Sequence, residues 1–127
     1  MSRLTAILRL LSRWLFWPGV LVIAWGELTP NPPDLGEMFG WDKLEHFTAY
    51  FGLAGMATMV IGPKPKLYPT ILDIILLSGL LELLQAWTGR DPEILDFAAN
   101  SMGALLGLGA GMAVWRLTGL AGQSPLD

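Results

Sequence analysis

The chain has 127 residues, of which 53% are hydrophobic and 15% charged, and its mean hydropathy is +0.50. Soluble domains carry about 25% charged residues, so the composition points instead to a small, single-domain integral membrane protein. The lack of cysteine excludes a disulfide scaffold, a thiolate metal site and a cysteine nucleophile; one histidine excludes a multi-His metal site within the chain; and a net charge of −3 speaks against a nucleic-acid partner.

The first predicted helix covers residues 6–26. Its apolar part, Trp14 to Gly26, is short, and Pro18 interrupts it. Counting back to Ala6 gives a full span if Arg9 and Arg13 snorkel to the interface. A cleaved signal peptide is the rival reading, with a basic start, a short apolar core and Ala24-Trp25-Gly26 as the small-x-small site. Bulky Trp17 and Pro18 inside that core weigh against it. Residues 27–42 then read as a loop, stiffened by Pro30-Asn31-Pro32-Pro33.

The second predicted helix covers 43–61. Asp42 fits an N-cap with Glu45 three residues on, and Gly62-Pro63 stops the run. Its length is about 28 Å at about 1.5 Å per residue, close to a hydrocarbon core of about 30 Å. The third covers 69–88, opening on Pro69 and closing on Thr88-Gly89. The fourth covers 92–117, with Asp91 as cap, Pro92 first, and Glu93 on the positive end of the dipole. It overshoots a perpendicular crossing and should tilt. The expectation is an all-α fold: one domain, residues 1–127, built as an antiparallel up-and-down bundle of four transmembrane helices.

Arg3, Arg9, Arg13, Lys64, Lys66 and Arg116 fall on one side of this topology, and only Lys43 and Arg90 on the other. The bias places both termini in the cytoplasm, and loops 27–42 and 88–92 outside. Trp14, Trp17, Tyr68 and Trp115 then mark the inner interface, and Trp25, Trp41 and Trp87 the outer one.

Ionisable groups at membrane depth are costly, so each is a functional candidate. Asp42, His46 and Tyr50 share one helical stripe; Glu82 and Gln85 share another, with Ser78 a turn behind; Asp96 and Asn100 lead into Gly103, Gly107 and Gly111. The topology brings these groups to a similar depth below the outer surface, with Arg90 in the short loop above. We therefore expect an outward-facing cavity that binds substrate through His46, Tyr50, Glu82, Gln85, Arg90, Asp96 and Asn100. Candidate catalytic groups are His46, Glu82 and Asp96. Blander readings exist: His46 as an interfacial histidine, Asp96 as a first-turn acid favoured by the dipole. Glu82 lies among leucines and must be protonated, paired or hydrated. Asp73, nine residues before Glu82 and near the inner end, should stand apart. The glycine stripe Gly103, Gly107, Gly111 serves helix packing.

Asp42-Lys43-x-x-His46-Phe47-x-x-Tyr50, Glu82-x-x-Gln85 and Gly89-Arg90-x5-Asp96-x3-Asn100-x2-Gly103-x3-Gly107 resemble the VanZ-like family over about residues 40–112. The resemblance implies a small integral membrane protein. The family's namesake is associated with resistance to the glycopeptide teicoplanin. By the same resemblance, the family's polar motif positions fall on Asp42, Lys43, His46, Glu82, Gln85, Arg90, Asp96 and Asn100, without assigning roles to them.

Two functions compete. One is a binding module for an envelope lipid or lipid-linked precursor, with Arg90 holding a phosphate. The other is an intramembrane hydrolase or transferase, with His46 as general acid or base oriented by Glu82 or Asp96. No serine stands out as a nucleophile. A one-His, two-carboxylate metal site is compositionally open, but no metal or cofactor is expected. An ion pathway ranks last, because the inner halves of the spans read Ala, Gly, Leu and Val. Membrane-protein partners are also open.

Overall fold

Ser2 sets the start of the chain's first helix by accepting the Thr5 N–H at 3.1 Å, which satisfies one of the free amides of the opening turn. The computed structural model describes residues 2–29, 42–89 and 91–119. Within them lie four α-helices: α1 Arg3–Leu28, α2 Asp42–Ile61, α3 Leu67–Gln85 and α4 Ile94–Val114. A 3-10 turn, Ala86–Thr88, extends α3, and a π turn, Trp115–Gly119, extends α4. All the regular structure among the described residues is helical.

Three helices differ in their bounds from the sequence expectation. α1 is longer at both ends, because Ser2 caps it early and the chain stays helical through Glu27. It also runs through Pro18, whose exposed ring leaves the lost hydrogen bond on the outer face. α3 begins two residues before Pro69, which is then in the first turn, where an N–H has no helical partner to lose. α4 begins at Ile94, not at Pro92: Glu93 is its N-cap in extended backbone, without a side-chain cap bond. At the turn after α3, Gly89 has φ +82°, a conformation that disfavours a side chain.

The helices alternate in direction. The end of α1 meets the start of α2 through Glu27 and Tyr50, while the start of α1 meets the end of α2 through Arg9 and Val60. α2 and α4 therefore run parallel, with Gly103 beside Phe47, Gly107 beside Phe51 and Gly111 beside Thr58. A Cβ added at Gly103 would stand 2.2 Å from the Phe47 carbonyl oxygen, one at Gly107 2.3 Å from that of Phe51, and one at Gly111 2.7 Å from the Thr58 side chain. Small residues four apart let the two backbones touch, which is how helices gain packing where lipid offers no hydrophobic drive. Trp115 Nε1 donates to the Thr58 carbonyl at 3.1 Å and closes the far end of this pair.

The buried core is Tyr50, Leu53, Ala54 and Ala57 of α2, Leu67, Ile71 and Ile74 of α3, and Ala104 of α4. Phe16, Val20 and Ile23 bring α1 onto it. The outer faces are apolar as well: Leu11, Leu21, Leu76, Leu80, Leu105 and Leu106 are all exposed. Such a girdle on a folded chain marks a surface meant for an apolar solvent. α1, α3 with its 3-10 turn, and α4 with its π turn are each long and apolar enough to cross a membrane. α2, whose first turn carries Asp42, Lys43 and Glu45, is not among them.

Candidate functional site

At one end of the bundle every helix contributes polar groups. The inward stripe of α1, Phe16, Val20 and Ile23, continues at helical spacing to Glu27, which is 6% exposed. Tyr50, fully buried one helix away, donates its hydroxyl to Glu27 Oε2 at 3.1 Å. One turn before Tyr50, His46 stands between three partners. Its Nδ1 lies 3.2 Å from Asn100 Oδ1 and 3.6 Å from Glu27 Oε1, and its Nε2 lies 3.6 Å from Asp96 Oδ2. An amide oxygen only accepts, so the Asn100 contact places a proton on Nδ1.

Lys43 gathers the acids at the rim. Its Nζ is 3.0 Å from Asp42, 2.5 Å from Glu93 and 2.5 Å from Asp96. This explains why Glu93 does not cap α4 with its side chain: the carboxylate is drawn to Lys43. The Glu93 backbone N–H instead donates to Glu82 Oε1 at 2.6 Å. Glu82, 5% exposed on α3, thus holds the entry of α4 in place of the helix's own cap.

Three buried polar atoms here have no partner among the described residues: Glu82 Oε2, Gln85 Nε2 and Asn100 Nδ2. An unmet buried donor or acceptor costs about 1–3 kcal/mol, so these atoms on two facing helices would gain from groups that accept from the two amides and donate to the carboxylate. Deeper in the bundle the polar character ends. Ser78 and Thr58 bond to carbonyls of their own helices, at Ile75 and Ala54.

The sequence-predicted residues fall as follows. His46, Tyr50, Asp96 and Asn100 meet in one cluster with direct contacts; Glu82 joins it through the start of α4; Gln85, 1% exposed, lies one turn from Glu82 on the same face. Arg90 lies outside the described residues. Asp73 is exposed on the first half of α3. Glu27 is a correction: read from sequence as a loop residue, it is inside α1 and inside the cluster. Lys43, named only through the family resemblance, is the cation on which the acids converge. Asp42, expected as an N-cap, is the first residue of α2 and pairs with Lys43.

Asp42, His46 and Asp96 each offer one ligand atom, all within 4.8 Å of one another, which is the spacing of a metal site. The Lys43 ammonium already bridges both of these carboxylates and supplies the positive charge a cation would bring. The donor set fits a protein ammonium better than a metal ion.

No protein-family model, curated protein or solved structure matches the chain.

Proposed function

We propose that the chain is a VanZ-like protein of the bacterial inner membrane. All four helices cross, both termini are cytoplasmic, and the polar cluster opens outward to bind the head group of an envelope lipid or lipid-linked precursor. The observation that carries the reading is the set of buried atoms on Glu82, Gln85 and Asn100 that have no partner among the described residues, beside a histidine held between two carboxylates. A head group with hydroxyl or carbonyl functions supplies both the acceptors and the donor they lack. The apolar girdle supports the membrane placement, and the Lys/Arg asymmetry supports the orientation. α2 crosses with the others in this reading: Tyr50 and Thr58, which lower its mean hydropathy, are buried against protein. α1 is retained in this reading: Arg9 binds the Val60 carbonyl, and Thr5 hydrogen-bonds Thr118. Tolerance of a glycopeptide would follow if the bound lipid were the drug's target or its precursor.

A second reading has its own support. Glu27 and Asn100 on the Nδ1 side can orient the His46 ring, and its Nε2, 3.6 Å from Asp96, is the nitrogen that would exchange a proton with substrate. The protein would then hydrolyse or transfer a group on the same lipid, with water or a substrate hydroxyl attacking.

Both are tested by purifying wild type, His46→Ala and Glu82→Gln with cell-envelope lipids and following the retained lipid over time. Binding without turnover in wild type, lost in His46→Ala, supports a receptor. Turnover lost in His46→Ala with binding kept moves the protein to the enzymes. Retention and turnover unaltered in both variants would make the cluster structural glue.

A further inference from the structure

We infer that the end of the bundle opposite the polar cluster carries a second lipid site, one that holds the phosphate of an anionic phospholipid. It lies in a cleft of about 170 Å³ lined by Ala6, Arg9, Leu10 and Arg13 of α1 and by Val60 of α2. The inference takes the membrane placement from the proposed function and nothing from the polar cluster.

The lining residues have separate tasks. Ala6, Leu10 and Val60 make an apolar floor between two helices, with the volume of about five or six water molecules. That suits a glycerol backbone and the first carbons of a chain. Arg9 forms one wall and is fixed there: its Nε and Nη2 donate to the Val60 carbonyl at 3.2 and 3.1 Å, and its guanidinium lies 5.7 Å from the Trp115 ring centroid. Arg13, one turn further along α1, is exposed.

The depth of Arg13 supplies the main argument. α1 has 26 residues, about 39 Å, against a hydrocarbon core of about 30 Å. Arg13 is about 15 Å from the start of α1. Even if the entire surplus of about 9 Å stands outside at this end, Arg13 begins about 6 Å inside the core. A guanidinium there must either snorkel outward or draw an anion to itself. Both arginines line the cleft, so a phosphate there meets the fixed Arg9 and the exposed Arg13, and a tail lies on the apolar floor. Charge agrees with this: Arg3, Lys64, Lys66 and Arg116 belong to the same end, and Asp73 is the nearest acid in the described part of α3.

The test uses the full chain in nanodiscs of equal phosphatidylglycerol and phosphatidylcholine, released and weighed by native mass spectrometry. Wild type should retain phosphatidylglycerol over phosphatidylcholine by about fivefold, the effect of one well-placed cation. Arg13→Gln should bring the ratio near one. Arg3→Gln, at the first residue of α1 and outside the cleft, should leave it unchanged. His46→Ala should also leave it unchanged, which separates this site from the polar cluster. Equal retention of both lipids by wild type would overturn the inference, as would equal losses in Arg3→Gln and Arg13→Gln, which mark a diffuse charge effect. Displacement of the lipid by inorganic phosphate would overturn the apolar floor's role. Failure to enter nanodiscs at all would instead strike the membrane reading itself.

Discussion

Glu82 shows how a single buried acid can be both anchor and site. One carboxylate oxygen holds the Glu93 N–H; the other has no partner among the described residues. The sequence marks Glu82 as anomalous among leucines, but not its hydrogen bond, because that depends on where α4 begins. Glu82→Gln keeps an oxygen for the Glu93 N–H and should hold thermal stability in detergent within about 1 kcal/mol of wild type. Glu82→Ala loses it and should cost about 1–3 kcal/mol. If the two variants melt together, the N–H is met in another way and Glu82 does not anchor α4. Tyr50 makes a similar case. Its hydroxyl is buried against a buried carboxylate, so Tyr50→Phe should destabilise by about 1–3 kcal/mol despite conserving the ring. A neutral Tyr50→Phe in the same melting assay would mean that Glu27 is equally well solvated without it. Glu27 escapes a reading of charge alone, which stops α1 at the first acid. The stripe Phe16, Val20, Ile23 carries the missing signal, since its next inward position is Glu27.

Among elements, α2 and α4 form the spine, and the glycines of α4 set their separation. Gly103 and Gly107 face carbonyl oxygens of α2 closer than any Cβ tolerates, whereas Gly109, on the other side of α4, has nothing within 4 Å. The four-residue spacing of the stripe and its shared face with Asp96 and Asn100 make this packing legible in the sequence. The partner helix is not: nothing in residues 103–111 says whether α2 or α3 lies opposite. Gly107→Ala must push two backbones apart and should cost about 1–3 kcal/mol. Gly109→Ala gains helix propensity and should stabilise by up to about 1 kcal/mol. The sign difference in melting temperature is the readout, and a Gly107→Ala variant as stable as Gly109→Ala would mean that the helices can separate freely. The helix ends are partly legible for a related reason. Gly62-Pro63 and Gly89 stop their helices through backbone chemistry that is local. The start of α4 is set instead by Glu82 and Lys43, which come from other helices.

For the whole molecule, the open question is whether α2 crosses the bilayer, and hydropathy is the wrong instrument for it. A helix wrapped by three others needs small residues for contact and tolerates polar ones that find partners, so its composition drifts away from that of a lipid-facing span. α2 has this character: Gly55 beside Gly107, buried Ala54 and Ala57, and a first turn whose Lys43 and His46 are matched by Asp96, Glu93, Glu27 and Asn100. Its buried row of Tyr50, Leu53, Ala54 and Ala57 is the middle of the core. The polar cluster and the basic end sit at its two ends, one helix length apart. If α2 crosses, Asp42 and Lys64 lie on opposite sides of the membrane; if it lies in the interface, they share one. Both side chains are exposed, and the chain has no cysteine of its own, so Asp42→Cys and Lys64→Cys each give a single labelling site. In intact cells an impermeant maleimide should label the cysteine at position 42. The one at position 64 should react only after permeabilisation, the direction set by the Lys/Arg asymmetry. Labelling of both from outside, or of neither, would remove α2 from the spans. The opposite pattern would keep four crossings and turn the polar cluster toward the cytoplasm, where an envelope lipid of the outer leaflet could not reach it.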